Sequence, residues 1–370
     1  MIRVQQFTKC RVFLTFFVVL HFFYFNSNAM IPISIGVHGD IVTRDSREIE
    51  GAMVEQVMLY PKKSAQSKER IMRRGVLVKR KNAKGTVLIN HGFMCDRKDS
   101  AFLRTLFPEY NCMTFDMRAH GDFIEGQYST LGGDEALDVE AAAQFLRKHP
   151  DLQNKPLFAY GFSMGAVASI EAQSKNSSLF DAMILDCPFD KSETVIKRGL
   201  EHMKVSFFGY KFNIPGRSLL QRYAFHPYIQ SFVKLVLKTV ANMGTRNIKT
   251  KAYPVFPAES IKKISVPCLF IHCKNDEKVS VAAIKKVFNN AGSSYKKLWI
   301  TNGRYHYDSI FYNPERYSRY INRFTNAFLS NEIHNIVNKE VVEDQDENVD
   351  IATHINNGKI ERKRKWRLFL

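Results

Sequence analysis

The chain has 370 residues, 45% of them hydrophobic and 24% charged, with a formal net charge of +18. These values exclude wholesale disorder, a collagen-like repeat and a multi-span membrane protein, and the length fits one large α/β domain with an insertion or two smaller domains. Local basic clusters stand at Lys79–Lys84 and the C-terminus, but the other basic residues are scattered and neither zinc-ligand spacing nor an RNA-binding aromatic motif occurs, so no specific nucleic-acid partner is expected.

Residues 1–29 read as a secretory signal peptide. Arg3, Lys9 and Arg11 precede the apolar run Val12–Phe25, and "SNA" ends at Ala29 with small residues at the positions a signal peptidase reads. The run is shorter than the ~20 residues that span a bilayer, so an exported chain is favoured over an uncleaved anchor. Cys95, Cys112, Cys187, Cys268 and Cys273 remain after cleavage, an odd set with no paired framework. Cys112, Cys268 and Cys273 sit in or beside apolar runs, as small buried hydrophobes do.

The segment 30–188 is the first part of a core. "MVEQVMLYP", "RRGVLVKRK" and "GTVLIN" alternate as strands do, and "NAKG" reads as a hairpin turn between the last two. Short apolar runs then alternate with helical-period stretches: "CMTFD", "GDEALDVEAAAQFLRKHP", "PLFAYG", "MGAVASIEAQS" and "AMILD". Residues 189–262 break that alternation, and Ile229, Phe232, Val233, Val236, Leu237 and Val240 fall on one helical face, so a mainly helical cap is expected there. The core resumes over 263–330 with "CLFIH", "VAAIKKVFNN", "KLWI" and "PERYSRYINRFTNAFLS". The class is therefore α/β: a mostly parallel twisted sheet with helices on both faces. Residues 331–370 read as a charged tail, acidic over "NKEVVEDQDENVD" and basic over "KIERKRKWRLFL". It is either a mobile tail or a handle for peripheral membrane contact through Arg362–Arg367, Trp366 and Leu368–Leu370.

Gly161-Phe162-Ser163-Met164-Gly165 matches G-x-S-x-G between an apolar strand and a small-residue helix, the setting in which a sharp turn presents a nucleophilic serine. A serine hydroxyl needs a base and a group to orient that base. Asp276 follows the strand "CLFIH" and His306 follows "KLWI", so both belong on loops at the carboxyl ends of later strands. Asp186, ending "AMILD", is a second candidate acid; His91 and His272 are rival histidines, one in the loop after "TVLIN" and one within a strand. The loop His91–Met94 after "TVLIN" is placed to supply one oxyanion donor, and the Met164 N–H at the following helix's N-terminus the other.

With "NHGF", "FDMRAHGDF", "GFSMG", "HCKNDEKV" and "NGRYHYDS" in this order, the chain resembles the α/β-hydrolase superfamily. The likeness is to its serine aminopeptidase-like, monoacylglycerol-lipase-like and prolyl-oligopeptidase-like branches. It implies an α/β-hydrolase fold with an inserted cap, Ser163 as nucleophile, Asp276 as acid, His306 as base, and an oxyanion hole of Phe93 and Met164. It further implies a small-molecule acyl substrate, an ester or thioester before a short peptide, with no metal or organic cofactor. A catalytically inactive binding module is the alternative of another class. Two departures stand out. Ala119 and Phe123 replace the glycine and serine usual in the "DMRAHGDF" turn, leaving Asp116, Arg118 and His120 structural. Arg304-Tyr305 replace small residues before the base, which narrows the pocket there.

Overall fold

The computed structural model describes residues 52–202, 204–207, 210–213, 248–251, 253–333 and 337–344. The expected signal peptide, most of the expected cap and the basic end of the tail lie outside the described residues.

Nine strands form one sheet in the order β1-β2-β4-β3-β5-β6-β9-β10-β11. They are β1 (Ala52–Leu59), β2 (Arg73–Arg80), β3 (Thr86–Asn90), β4 (Asn111–Phe115), β5 (Leu157–Phe162), β6 (Ala182–Asp186), β9 (Cys268–Cys273), β10 (Tyr295–Thr301) and β11 (Asn338–Glu343). β1 with β2 and β2 with β4 are antiparallel, and every other neighbouring pair is parallel. Successive side chains of a strand point to opposite faces, so the parallel runs are apolar throughout and feed two cores. Leu88, Ala159, Phe270 and Leu298 pack with the helices α1 (Glu135–Lys148), α2 (Met164–Lys175) and α4 (Val281–Asn290). Val87, Ile89, Phe158, Tyr160, Leu269, Ile271 and Trp299 pack on the other face with Leu103, Phe107 and the helix α5 (Pro314–Leu329). Cys95, Cys112, Cys187, Cys268 and Cys273 are all buried, and for Cys112, Cys268 and Cys273 this is in keeping with their reading as small hydrophobes.

Two expectations need correction. "NAKG" does connect β2 to β3, but the two are not a hairpin: β4 lies between them. All five residues of β3 are buried, and such a strand is satisfied only in the sheet interior, between parallel β4 and β5. The expected boundary at 330/331 is also wrong, because β11 from the acidic stretch runs parallel to β10. Its acids meet core cations: Glu340 with Lys297 at 2.8 Å, Glu343 with Lys285 at 2.7 Å, and Asp344 with Arg316 at 2.8 Å. A charge run that reads as solvated in sequence is thus matched to cations on β10, α4 and α5.

In the cap interval the described elements are α3 (Ser192–His202), a separate two-stranded antiparallel sheet of β7 (Lys204–Phe207) with β8 (Tyr210–Asn213), and a short helix over Pro257–Ser260. Among the described residues no helix is long and apolar enough to cross a membrane.

Candidate active site

β5 ends in a turn that stores backbone strain. Ser163 has φ 52° and ψ −119°, outside the regions an L-residue prefers, at a cost of roughly 1–3 kcal/mol. The Ser163 N–H donates to the Asp186 carbonyl at 2.8 Å, so the ladder to β6 continues up to the turn. The flanking glycines are needed for space. A Cβ at Gly161 would lie 2.7 Å from the Gly165 carbonyl, and one at Gly165 would lie 2.1 Å from the Asn90 carbonyl oxygen. The start of α2 is therefore pressed directly against the end of β3.

The structure brings the three expected side chains together. The Ser163 hydroxyl lies 2.7 Å from His306 Nε2, and His306 Nδ1 lies 2.7 Å from Asp276 Oδ2. The second carboxylate oxygen of Asp276 accepts the Lys278 and Val279 N–H groups at 2.8 and 2.9 Å. Burial pushes the Asp276 pKa up, but the His306 charge and hydrogen bond outweigh it and hold the acid at about 2. His306 rides on a loop fixed from behind: Asp308 N–H donates to Cys273 Sγ at 3.2 Å, and a Cβ at Gly303 would sit 2.7 Å from that sulfur.

The loop after β3 is braced by two histidines. Met117 N–H donates to His91 Nε2 at 2.9 Å while His91 Nδ1 faces the Gly92 carbonyl, which fixes the Nδ1–H tautomer. His120 repeats the arrangement, Nδ1 to the Arg118 carbonyl and Nε2 accepting from Met94 N–H at 3.2 Å. Burial lowers the His91 pKa, which favours this neutral form. Asp116 accepts the Arg97 N–H at 2.9 Å, and Arg118 meets Asp138 in a buried two-pronged pair at 2.9 and 3.0 Å. Asp116 and His120 thus hold the loop, and Arg118 ties the turn after β4 to α1. Ala119 adopts φ 60°, the conformation for which glycine is usual in that turn. Among the described residues, neither the Phe93 nor the Met164 N–H has a hydrogen-bond acceptor.

Comparison with known proteins identifies the family of the fold that carries this site. The model of the alpha/beta hydrolase family matches residues 87–319. The chain belongs to the α/β hydrolase family. It is 26% identical to the uncharacterised protein YqkD of Bacillus subtilis (strain 168) over 242 residues, 65% of this chain and 70% of that one. The esterase Pf2001 of Pyrococcus furiosus superposes with a TM-score of 0.57 at 19% identity, covering 80% of this chain and 98% of the esterase. The 2,6-dihydroxy-pseudo-oxynicotine hydrolase superposes with a TM-score of 0.55 at 14% identity, covering 81% and 75%. At these identities the superpositions speak for the fold.

The rivals for each role in this hydrolase fall elsewhere. Asp186 faces Tyr317 and not His306. His272 points away, with Nε2 on the Val279 carbonyl at 3.2 Å. Cys187, Asp276 and His306 have donor atoms within 4.8 Å of one another, the spacing of a metal cluster. Both His306 nitrogens are engaged, however, and the Cys187 thiol donates to Asp186 at 3.1 Å, its pKa raised far by burial. A metal held by His306 would have to displace one of its two hydrogen bonds, that to Asp276 or that to Ser163. Sequence reasoning missed Arg198 of α3, whose guanidinium donates to the Asp276 and Glu277 carbonyls at 3.3 and 3.1 Å. It also missed the buried tyrosines Tyr160, Tyr307 and Tyr317 behind the site. Nothing in one sequence distinguishes such residues from packing.

Proposed function

We propose that this α/β hydrolase is an exported serine hydrolase that cleaves a carboxylic ester or thioester through an acyl-enzyme. The observation that carries the reading is the continuous Ser163–His306–Asp276 hydrogen-bond line, 2.7 Å at each step, at a strained strand-to-helix turn. Ser163 Oγ attacks the acyl carbonyl while His306 Nε2 takes its proton. Asp276 accepts the Nδ1–H, holds the tautomer and stabilises the imidazolium, and the proton then passes to the leaving group. The Phe93 and Met164 N–H groups receive the oxyanion, a contribution of about 3 kcal/mol per donor in such sites. Water activated by the same histidine releases the acid. The chemistry is complete with protein groups alone.

Labelling with a fluorophosphonate probe tests the reading, beside Ser163→Ala and with p-nitrophenyl esters of increasing chain length as readout. Labelling that disappears in the variant, with turnover peaking at one chain length, is expected. A folded chain that neither labels nor turns over would leave the binding-module alternative. The export reading, which rests on residues 1–29, predicts a mature N-terminus at Met30 by N-terminal sequencing. Peripheral membrane contact through the basic end of the tail predicts that removing residues 345–370 abolishes binding to anionic vesicles.

A further inference from the structure

Asp186 stands at the end of β6, fully buried, and takes no part in the His306–Asp276 pair. Its two carboxylate oxygens accept from different donors: Tyr317 O–H at 2.6 Å and Cys187 S–H at 3.1 Å. With its hydrogen on Asp186, the Tyr317 oxygen can only accept, so Tyr160 donates to it across 2.8 Å. By the same logic Tyr307 donates to Tyr160 across 3.0 Å. The result is a one-directional hydroxyl chain, Tyr307 to Tyr160 to Tyr317 to Asp186, whose members are all buried. Hydrogen bonds in such a chain polarise one another in a low-dielectric interior, and each is costly to leave unmade.

The chain begins at the residue that follows the base. Tyr307 holds a left-handed backbone, φ 60°, which a bulky residue keeps only under external restraint. Its ring stacks on Phe162 with centroids 4.1 Å apart and planes within 16°. Phe162 directly precedes Ser163 and packs so closely on the loop after β3 that a Cβ at Gly92 would stand 2.6 Å from its ring. The stacked pair of Tyr307 and Phe162 therefore links the histidine loop, the serine turn and the loop of Phe93.

We propose that Tyr307 is a positioning residue that sets the His306 imidazole against Ser163, held in place by the hydroxyl chain that Asp186 anchors. The proposal rests on the triad reading above. Hydrogen bonds at 2.7 Å on both sides of one imidazole leave little rotational freedom, and small misplacements of a base are expensive in rate. The brace limits that rotation: the stack fixes the ring plane and the hydroxyl chain fixes the depth of the loop.

The test uses Tyr307→Phe and Asp186→Asn, each alone and together, on the full mature chain with a p-nitrophenyl ester. Tyr307→Phe keeps the stack and removes one hydroxyl, while Asp186→Asn replaces one accepting oxygen of the anchor by a donor and keeps the backbone carbonyl that receives the Ser163 N–H. Each single variant is expected to lower kcat by roughly 10-fold at unchanged KM. The double variant should be no worse than either single one, because the two residues meet only through Tyr160 and Tyr317. Tyr160→Phe, which cuts the chain in the middle, should match them, and it supplies the comparison if Asp186→Asn fails to fold. Wild-type kcat in a folded Tyr307→Phe, or losses that multiply in the double variant, would overturn the proposal. Fluorophosphonate labelling of the parent chain separates the two ideas: without it the triad reading falls, and with it only the brace is in question.

Discussion

His306 Nδ1 stands 2.7 Å from Asp276 Oδ2, and the opposite edge of the same ring stands 2.7 Å from Ser163 Oγ. Because Asp276 is buried and held ionised, it can stabilise an imidazolium but not take its proton. Asp276→Asn keeps the size but presents an amide that can donate toward Nδ1, which favours the wrong tautomer. The expected result is a loss of about 10⁴-fold in kcat with the fold intact, read by steady-state kinetics beside thermal melting. A loss below tenfold would remove Asp276 from the triad.

The Gly165 contact makes a second prediction. A methyl group there would stand 2.1 Å from the Asn90 carbonyl oxygen and 2.5 Å from that of His91, both backbone atoms that cannot step aside. Gly165→Ala should cost about 3 kcal/mol or more in urea denaturation and abolish probe labelling. Gly126 is the control: φ is +67°, but nothing lies within 4 Å of its would-be Cβ. Gly126→Ala should cost only about 1 kcal/mol, from the backbone conformation alone, and leave labelling intact.

The contrast between these glycines also marks what a sequence can convey. The turn at Ser163 was legible because its chemistry demands small residues at fixed spacing in a strand-to-helix setting. The places of Asp276 and His306 were legible because both sit where parallel strands end. The order of β3 and β4 was not, since "NAKG" is equally good chemistry for a hairpin and for a longer crossover. β11 was hidden because Glu340, Glu343 and Asp344 read as a solvated run until Lys297, Lys285 and Arg316 are placed opposite them. Tyr307 was hidden for a simpler reason: its partner Phe162 is 145 positions away, and stacking leaves no local pattern.

Two buried groups give the stability opposing pH dependences. Burial lowers the His272 pKa to about 4, from an ordinary 6.5, so its contribution is present above pH 6.5 and is lost as the pH falls toward 4. Burial raises the Asp186 pKa to about 7, from an ordinary 3.8, against the Tyr317 and Cys187 hydrogen bonds that lower it. Its contribution is therefore present below pH 3.8 and is lost as the pH rises through 7. Each is on the order of 3 kcal/mol at full extent, and between pH 4 and 6.5 they offset each other. Urea midpoints across that interval should climb with pH in Asp186→Asn and fall with pH in His272→Gln. Parallel curves for both variants and the parent would show that neither group titrates as its burial requires.

Where the chain is cut near its end should matter sharply. Trp299 Nε1–H donates to Asp344 at 2.9 Å, the Asp344 N–H donates to the Ile300 carbonyl at 2.9 Å, and Val342 packs on the α5 face of the sheet. Ending the chain at residue 333 removes all of these, strands a buried indole N–H and leaves β10 as an uncovered edge. Loss of that acceptor alone costs about 1–3 kcal/mol, and an unpaired apolar edge invites association with other copies. Ending it at residue 344 keeps all of these contacts. The longer truncation product should melt with the parent and stay monodisperse in light scattering, whereas the shorter one should melt earlier and aggregate. Equal behaviour of the two would mean that β11 contributes nothing to the sheet it extends.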